Sequence, residues 1–277
     1  MRILMIGDIV GKPGMKLTCQ AVPLLRQRQQ IDLVIANAEN AADGSGLSPN
    51  QFKRLIAAGV DCITLGDHIY KRSEIVPTLQ AESNVVRPAN FPAASPGKTW
   101  TIVKSAAGTP VAVFCLLGRV FMRPVDCPWT AADKVLSEIP DDVKIRMVDF
   151  HAEATSDKQL MGRYLDGKVS AVLGTHTHVP TADEQIFPGG TAFQCDVGMT
   201  GPYESILGRR IDRVLSTTLT FQPSMFDVAT EDVRLSGSWV DVDAETGKAT
   251  QIQRVCVTQK QADEWEAAAS DSLPPRM

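Results

Sequence analysis

The strongest constraint on the fold is a rhythm of short apolar runs. RILMIG, LVIANA, CITLG, IRMVDF and AVLG recur along the first two-thirds of the chain, separated by amphipathic stretches. Runs of this length bounded by turn residues read as buried strands, and strands alternating with helical patterns read as an α/β fold. Each run stops at residues with polar chemistry. The first ends at Asp8, the second at Glu39-Asn40, the third at Asp67-His68 and the fourth at His151. The fifth is followed by Thr175-His176-Thr177-His178. In α/β sheets, ligands bind beyond the carboxyl ends of the strands, so these ends predict a shared site.

The intervening segments support this reading. A glycine-rich turn is expected after Asp8, then a helix over about Met15 to Gln30. Ser48-Pro49 is a helix start, with Ser48 as N-cap and Pro49 as first helical residue. Helices are expected over about Ser73 to Ala81, in DKVLSEI and in DKQLMGRYLDG. The stretch from Thr99 to Gly118 reads as a hairpin turning at Gly108-Thr109-Pro110. Past His178, TAFQCDVGM, RRIDRVLSTTLTFQ and the segment from Phe226 to Val257 read as strands and turns, with a turn cluster over Asp241 to Gly247. Residues 1–259 are expected to form a single domain, and 260–277 a C-terminal helix or frayed tail.

Every one of the four histidines in the sequence falls in the strand-end set. Singly, each residue has a structural explanation: a loop opening at Asp8, a turn cap at Glu39-Asn40, a helix N-cap at Asp67, a satisfied core histidine at His151. Random placement would scatter four histidines over helices and surface. Imidazole and carboxylate are ligands for zinc, manganese and iron. If His176 and His178 extend their strand, the period of two puts both on one face. This many candidate ligands exceeds what one tetrahedral ion needs and suits two ions about 4 Å apart.

Other chemistries lack their motifs. GDIVGKPGM matches neither the dinucleotide-binding nor the P-loop glycine pattern, and no G-x-S-x-G is present. The zinc amidohydrolases place a His-x-His on their first strand, whereas here it comes late. A formal net charge of −4 argues against long nucleic acid. The six cysteines form no C-x-x-C pair and read as reduced thiols, so a cytoplasmic protein without a membrane span is expected. Self-association into a homo-oligomer is left open. Arg87 and Arg119 follow apolar runs and read as solvated arginines. Asn90 and Tyr203 are weaker candidates for lining a pocket.

The order of the motifs resembles the calcineurin-like metallophosphoesterase superfamily: Asp, an acid, G-[ND]-H, a lone His, then G-x-H-x-H. MRILMIGDIVGKPG, NAEN, LGDH, RPANFP, LLGRVFM, DFHAEATSDK, GTHTHVPTAD and DVGMTGPYESILG are similar to its YmdB-like branch, from Met1 to about Val257. The resemblance implies a four-layer α/β/β/α sandwich of two mixed sheets flanked by helices. It also implies two divalent or trivalent transition-metal ions, iron or manganese first and zinc next. Asp8, Asn40 and His178 would hold one ion, Asp67, His151 and His176 the other, and Glu39 would bridge. His68 would be catalytic rather than a ligand. The implied reaction is hydrolysis of small phosphodiesters, 2′,3′-cyclic nucleotides in particular, by attack of a metal-bridging hydroxide. The alternatives are a phosphomonoesterase of the same fold and a metal-binding regulatory protein with little turnover. Two departures stand out. Val10 replaces the histidine of the superfamily's initial Asp-x-His, as in the YmdB-like branch. Asp67 replaces the usual asparagine and adds a negative charge.

Overall fold

Two mixed sheets stack face to face with helices on both outer sides. The computed structural model describes residues 1–271. From the N-terminus the elements are β1 (Arg2–Ile6), β2 (Asp8–Ile9), α1 (Gly11–Gln29), β3 (Leu33–Asn37), α2 (Pro49–Ala57), β4 (Cys62–Thr64), α3 (Val76–Ala81) and β5 (Val85–Val86). Next come β6 (Trp100–Lys104), β7 (Pro110–Leu117), α4 (Pro128–Glu138), β8 (Ile145–His151), α5 (Thr155–Tyr164) and β9 (Ala171–Thr175). The last are β10 (Gln185–Ile186), β11 (Ala192–Gln194), β12 (Met199–Pro202), α6 (Ile211–Thr220), β13 (Val233–Val242), β14 (Ala249–Thr258) and α7 (Gln259–Asp271).

The first sheet runs β2-β12-β13-β1-β3-β4-β5, with β14 also on β13; the second runs β10-β11-β9-β8-β7-β6. β1, β3, β4 and β5 are parallel, as are β7, β8, β9 and β11. Antiparallel β13 completes the first sheet against β1, and antiparallel β6 edges the second.

Side-chain alternation along the strands builds the layers. Ile3, Met5, Leu33, Ile35 and Cys62 from the first sheet meet Val111, Val113, Ile145, Met147, Ala171 and Leu173 from the second in one buried cluster. The opposite face of the first sheet, with Leu4, Ile6, Val34 and Ala36, packs against Met15, Ala21, Val22 and Leu25 of α1 and Phe52 and Leu55 of α2. Phe114, Leu116, Val148 and Phe150 on the outer face of the second sheet pack against Ala132 and Val135 of α4 and Met161 of α5. Burial on both faces is what parallel strands with crossover helices require. The result is the four-layer sandwich expected from the motifs.

Most predicted elements are present. Ser48 caps α2 in a full capping box with Gln51, and the β6–β7 hairpin turns through Gly108 at φ 84°. A 3₁₀ turn over Ser73–Ile75 leads directly into α3. Three expectations need correction. The glycine-rich segment after Asp8 is the first turn of α1 rather than a loop. Gly14 is there because a Cβ would overlap the Thr200 carbonyl. The segment RRIDRVLSTTLTFQ is helical over Ile211–Thr220, not strand. Its β-branched composition suggests a strand, but Ile211, Val214, Leu215 and Leu219 recur at helical spacing. Arg87 is buried, 4% exposed, not solvated. Its guanidinium donates to the carbonyls of Gly97 and Pro88. Arg119 is exposed as expected. The helical part of the expected C-terminal segment is α7; residues 272–277 lie outside the described residues.

The end of β1 is held by a close backbone approach. A Cβ at Gly7 would overlap the carbonyl of Gly198, whose own φ is 89°. Gly7→Ala is therefore expected to lower stability by about 2–3 kcal/mol, as overpacking does. A thermal melt should show a loss of roughly 4–10 °C. An unchanged melting temperature would contradict the close approach.

Candidate metal centre

The strand ends converge. Asp8 follows β1, Glu39 and Asn40 follow β3, and Asp67 and His68 follow β4, all from the first sheet. His151 closes β8 and His176 follows β9, both from the second. The eight residues singled out in the sequence are in one place, at the carboxyl ends of strands from both sheets.

Glu39 lies at the middle. It is 1% exposed, and its Oε2 accepts from the His68 backbone N–H at 2.9 Å. Its Oε1 lies 3.3 Å from both His151 Nε2 and His68 Nδ1 and accepts from Asn40 Nδ2 at 3.1 Å. On one side, Glu39, Asp67, His151 and His176 each offer a ligand atom, all within 4.8 Å of one another. His151 Nε2 is 3.3 Å from Asp67 Oδ1 and 3.0 Å from His176 Nδ1. On the other side, Asp8 Oδ1 is 3.8 Å from His178 Nε2, which is 3.3 Å from Asn40 Nδ2. Asn40 Oδ1 faces His68 Nδ1 at 2.7 Å.

The two histidines reach the site by a different route from the one expected. β9 ends at Thr175, and His176 and His178 have φ of 93° and 65°. Positive φ is uncommon in non-glycine residues, and here it marks a turn where an extension of the strand was expected. The glycine ahead of Asp67 is equally constrained, since a Cβ at Gly66 would overlap Glu39 and His151.

Beneath the ligand candidates lies a buried network that the motifs did not reveal. Asp149 Oδ1 accepts from Thr175 Oγ1 at 2.6 Å. Its Oδ2 accepts from Thr64 Oγ1 at 2.5 Å and from Asn37 Nδ2 at 3.0 Å. Thr175 spends its proton on Asp149, so its oxygen is free to accept from His151 Nδ1, 2.8 Å away. That contact aims His151 Nε2 into the centre, as outer partners of metal-ligating histidines do. Glu153, also unpredicted, sits 3.3 Å from His176 Nε2 and leaves Nδ1 facing the centre. Asn90 lines a separate cavity, with Arg87 and Asp126, rather than this centre, and Tyr203 serves the scaffold. Asn90 bonds the backbone of Leu117 and Asp126, and the Tyr203 hydroxyl donates to the Met199 carbonyl.

The electrostatics show a site short of positive charge. Burial pushes the Asp8 carboxyl up to about 6, and its Oδ1 has no hydrogen-bond partner among the described residues. Burial would lower the His151 imidazole, but Glu39, Asp67 and Asp8 hold it well above its usual value. Burial and then the neighbouring His151 push His176 down to about 4. Without metal, the raised imidazoles His151 and His68 stand against three carboxylates. An orphaned carboxylate oxygen and a tight cluster of carboxylates and imidazoles fit a transition-metal centre.

The family model for YmdB-like proteins matches residues 4–255. The chain belongs to the YmdB-like family. A 2′,3′-cyclic-nucleotide 2′-phosphodiesterase of Bacillus subtilis (strain 168) is 46% identical over 257 residues, which are 93% of this chain and 97% of that protein. A hypothetical protein from Thermus thermophilus has a crystal structure with a TM-score of 0.87 at 41% identity, covering 93% of this chain and 99% of that one. A phosphatase from Mycoplasma pneumoniae also gives 0.87, at 30% identity and 93% coverage of each chain. The sandwich is therefore that of the calcineurin-like phosphoesterases.

The Asp8 shift yields a signed prediction for chelator-treated protein. A carboxyl raised in the folded state opposes folding once ionised. The stability it gives is full below about pH 4, its unfolded range, and is lost as pH rises through about 6. Asp8→Asn should therefore stabilise the metal-free protein at pH 8 by about 1–3 kcal/mol and change little at pH 4. Urea denaturation at both pH values checks this; destabilisation at pH 8 would contradict it.

Proposed function

We propose that the chain is a dinuclear-metal phosphodiesterase that hydrolyses small phosphodiesters, with 2′,3′-cyclic nucleotides as the leading substrate class. The observation that carries this reading is the cluster of Glu39, Asp67, His151 and His176, beside which Asp8, Asn40 and His178 would complete a second half-site around Glu39. The named activity of the Bacillus subtilis relative supports it. Residues 1–259 would act as one metallophosphoesterase domain. The six cysteines are free and no described helix is long and apolar enough to cross a membrane; a cytoplasmic enzyme is consistent with both.

Asp8, Asn40 and His178 would hold one ion and Asp67, His151 and His176 the other, with Glu39 between them. The mix of three carboxylates with three imidazoles favours iron or manganese, with zinc next. When bound, such ions neutralise phosphate charge and acidify water into a nucleophile.

His68 has a separate task. Its Nδ1 is anchored by Asn40 and Glu39, and its side chain is 32% exposed. Its hydrogen bond to Glu39 raises the imidazole above the usual value. That shift favours the protonated imidazole, which can pass its proton to the departing alkoxide as a general acid. Water adds to phosphorus, the ester oxygen leaves with that proton, and a cyclic substrate opens to a nucleoside monophosphate. A purely structural metal site would need no such neighbour, which weighs against the regulatory reading. The Mycoplasma pneumoniae phosphatase favours a phosphomonoesterase as the second reading.

Manganese-reconstituted protein should turn over 2′,3′-cyclic AMP faster than p-nitrophenyl phosphate. Glu39→Gln should lose both activity and bound metal. His68→Ala should keep two ions and lose roughly 10²–10⁴-fold in kcat. Turnover of the monoester alone would move the function to phosphatase. Two bound ions with no turnover of either substrate would favour the regulatory reading.

Asp67 adds a charge where the superfamily has asparagine. With Asp8, Glu39, Asp67 and a hydroxide, two divalent ions are about neutralised. Asp67→Asn is expected to loosen metal binding and strengthen inhibition by inorganic phosphate. Metal content and phosphate inhibition unchanged from wild type would show that the charge is immaterial.

A further inference from the structure

Two charges lie buried behind the metal centre, and neither is a candidate ligand. Lys158 on α5 and Asp196, two residues past β11, have side chains only 2% and 1% exposed, 2.6 Å apart. Asp196 Oδ2 accepts from Lys158 Nζ, from the Thr177 backbone N–H at 3.1 Å and from Thr177 Oγ1 at 2.8 Å. Its Oδ1 accepts from the Gly198 N–H at 2.8 Å. Thr177 is the residue between His176 and His178.

That position matters because both histidines have left-handed backbone. Non-glycine residues persist in that conformation only where the surroundings over-determine it. His176 has a second restraint, its N–H donated to Asp8 Oδ2 at 3.0 Å. His178 Nδ1 lies 3.1 Å from the Leu207 carbonyl. Among the described residues, the group that grips the backbone between them is Asp196. The chain is built to let the pair in. A Cβ at Gly174 would stand 3.2 Å from Lys158 Cδ and overlap the Cys195 carbonyl, so the lysine stem passes under a residue without a side chain.

A buried ion pair is poor evidence of added stability, since desolvation offsets the attraction and well-packed apolar residues often do as well. What apolar residues cannot do is accept two hydrogen bonds from Thr177. Lys158 in turn supplies the charge that makes a buried carboxylate tolerable there.

We propose that Lys158 and Asp196 are positioning residues for the His176-Thr177-His178 turn: their buried ion pair clamps Thr177 and thereby fixes both rings toward the centre. The consequence for metal affinity rests on the dinuclear reading above; the clamp itself does not.

Two variants test it. Lys158→Met/Asp196→Leu removes both charges and the acceptor oxygens that hold Thr177, so neither charge is left buried alone. Thr177→Val keeps the ion pair and loses one hydroxyl donor. The chain has four histidines, so ring signals of isotope-labelled histidine can be followed individually in chelator-treated protein. In the double variant, His176 and His178 should shift and broaden while His68 stays in place. Manganese titration should show affinity weakened roughly 10–100-fold, the range for lost outer-shell partners. Turnover of 2′,3′-cyclic AMP should fall through kcat rather than KM.

A double variant with a lower melting temperature but unchanged ring signals and manganese affinity would overturn the proposal and leave the pair a structural role. If the double variant does not fold, Thr177→Val decides: weaker manganese binding supports the clamp, and wild-type binding refutes it. Wild type that binds no manganese, iron or zinc would sink the dinuclear reading instead, and the ring signals would still decide the clamp.

Discussion

Asp8, Glu39 and Asp67 are three carboxylates gathered in a space where water reaches little of them. Asp8 and Glu39 are almost wholly buried. Charge in such a place is tolerated only when paired, hydrogen-bonded or bound to a metal. Much of the surrounding structure answers that need. Backbone N–H groups of His68 and His176 point at Glu39 and Asp8, and His151 carries a proton into the middle. What remains uncompensated is the feature that asks for cations.

The sandwich is what brings these groups together. The first sheet supplies the three acids but, of the imidazoles, His68 alone; His151 closes a strand of the second sheet, and His176 and His178 follow another. Registering the two sheets to within hydrogen-bond tolerance takes more than apolar packing, which is indifferent to small sliding. Asn37 and Thr64 from the first sheet meet Asp149 and Thr175 from the second in one buried network. Directional bonds of this kind specify one relative position of the sheets. The network also touches His151, so the register of the sandwich and the aim of a candidate ligand are set by the same atoms.

Much of this was legible in the chain because strands announce themselves locally. An apolar run ending in Asp or His states both its burial and which end carries chemistry, and the five runs mark the facing edges of two sheets. The four layers and the eight converging residues followed from that and from the motif order. The errors have equally physical causes. RRIDRVLSTTLTFQ is rich in β-branched residues, and its helical spacing of apolar positions was outweighed by composition. The left-handed turn at His176 and His178 depends on Asp196 and Asp8, distant in sequence, and no local pattern encodes it. Arg87 is buried because two carbonyls of its own loop receive it. Asp149, Glu153 and Lys158 lie within DFHAEATSDK, but a carboxylate or ammonium that supports a histidine looks in sequence like any surface charge.

The most direct test of a dinuclear centre is anomalous X-ray diffraction from crystals of manganese-loaded protein. Two anomalous peaks about 3.5–4 Å apart are expected on either side of Glu39, one beside Asp67, His151 and His176, the other beside Asp8 and His178. A single peak, or peaks away from Glu39 in fully loaded protein, would contradict the shared carboxylate on which the functional account stands.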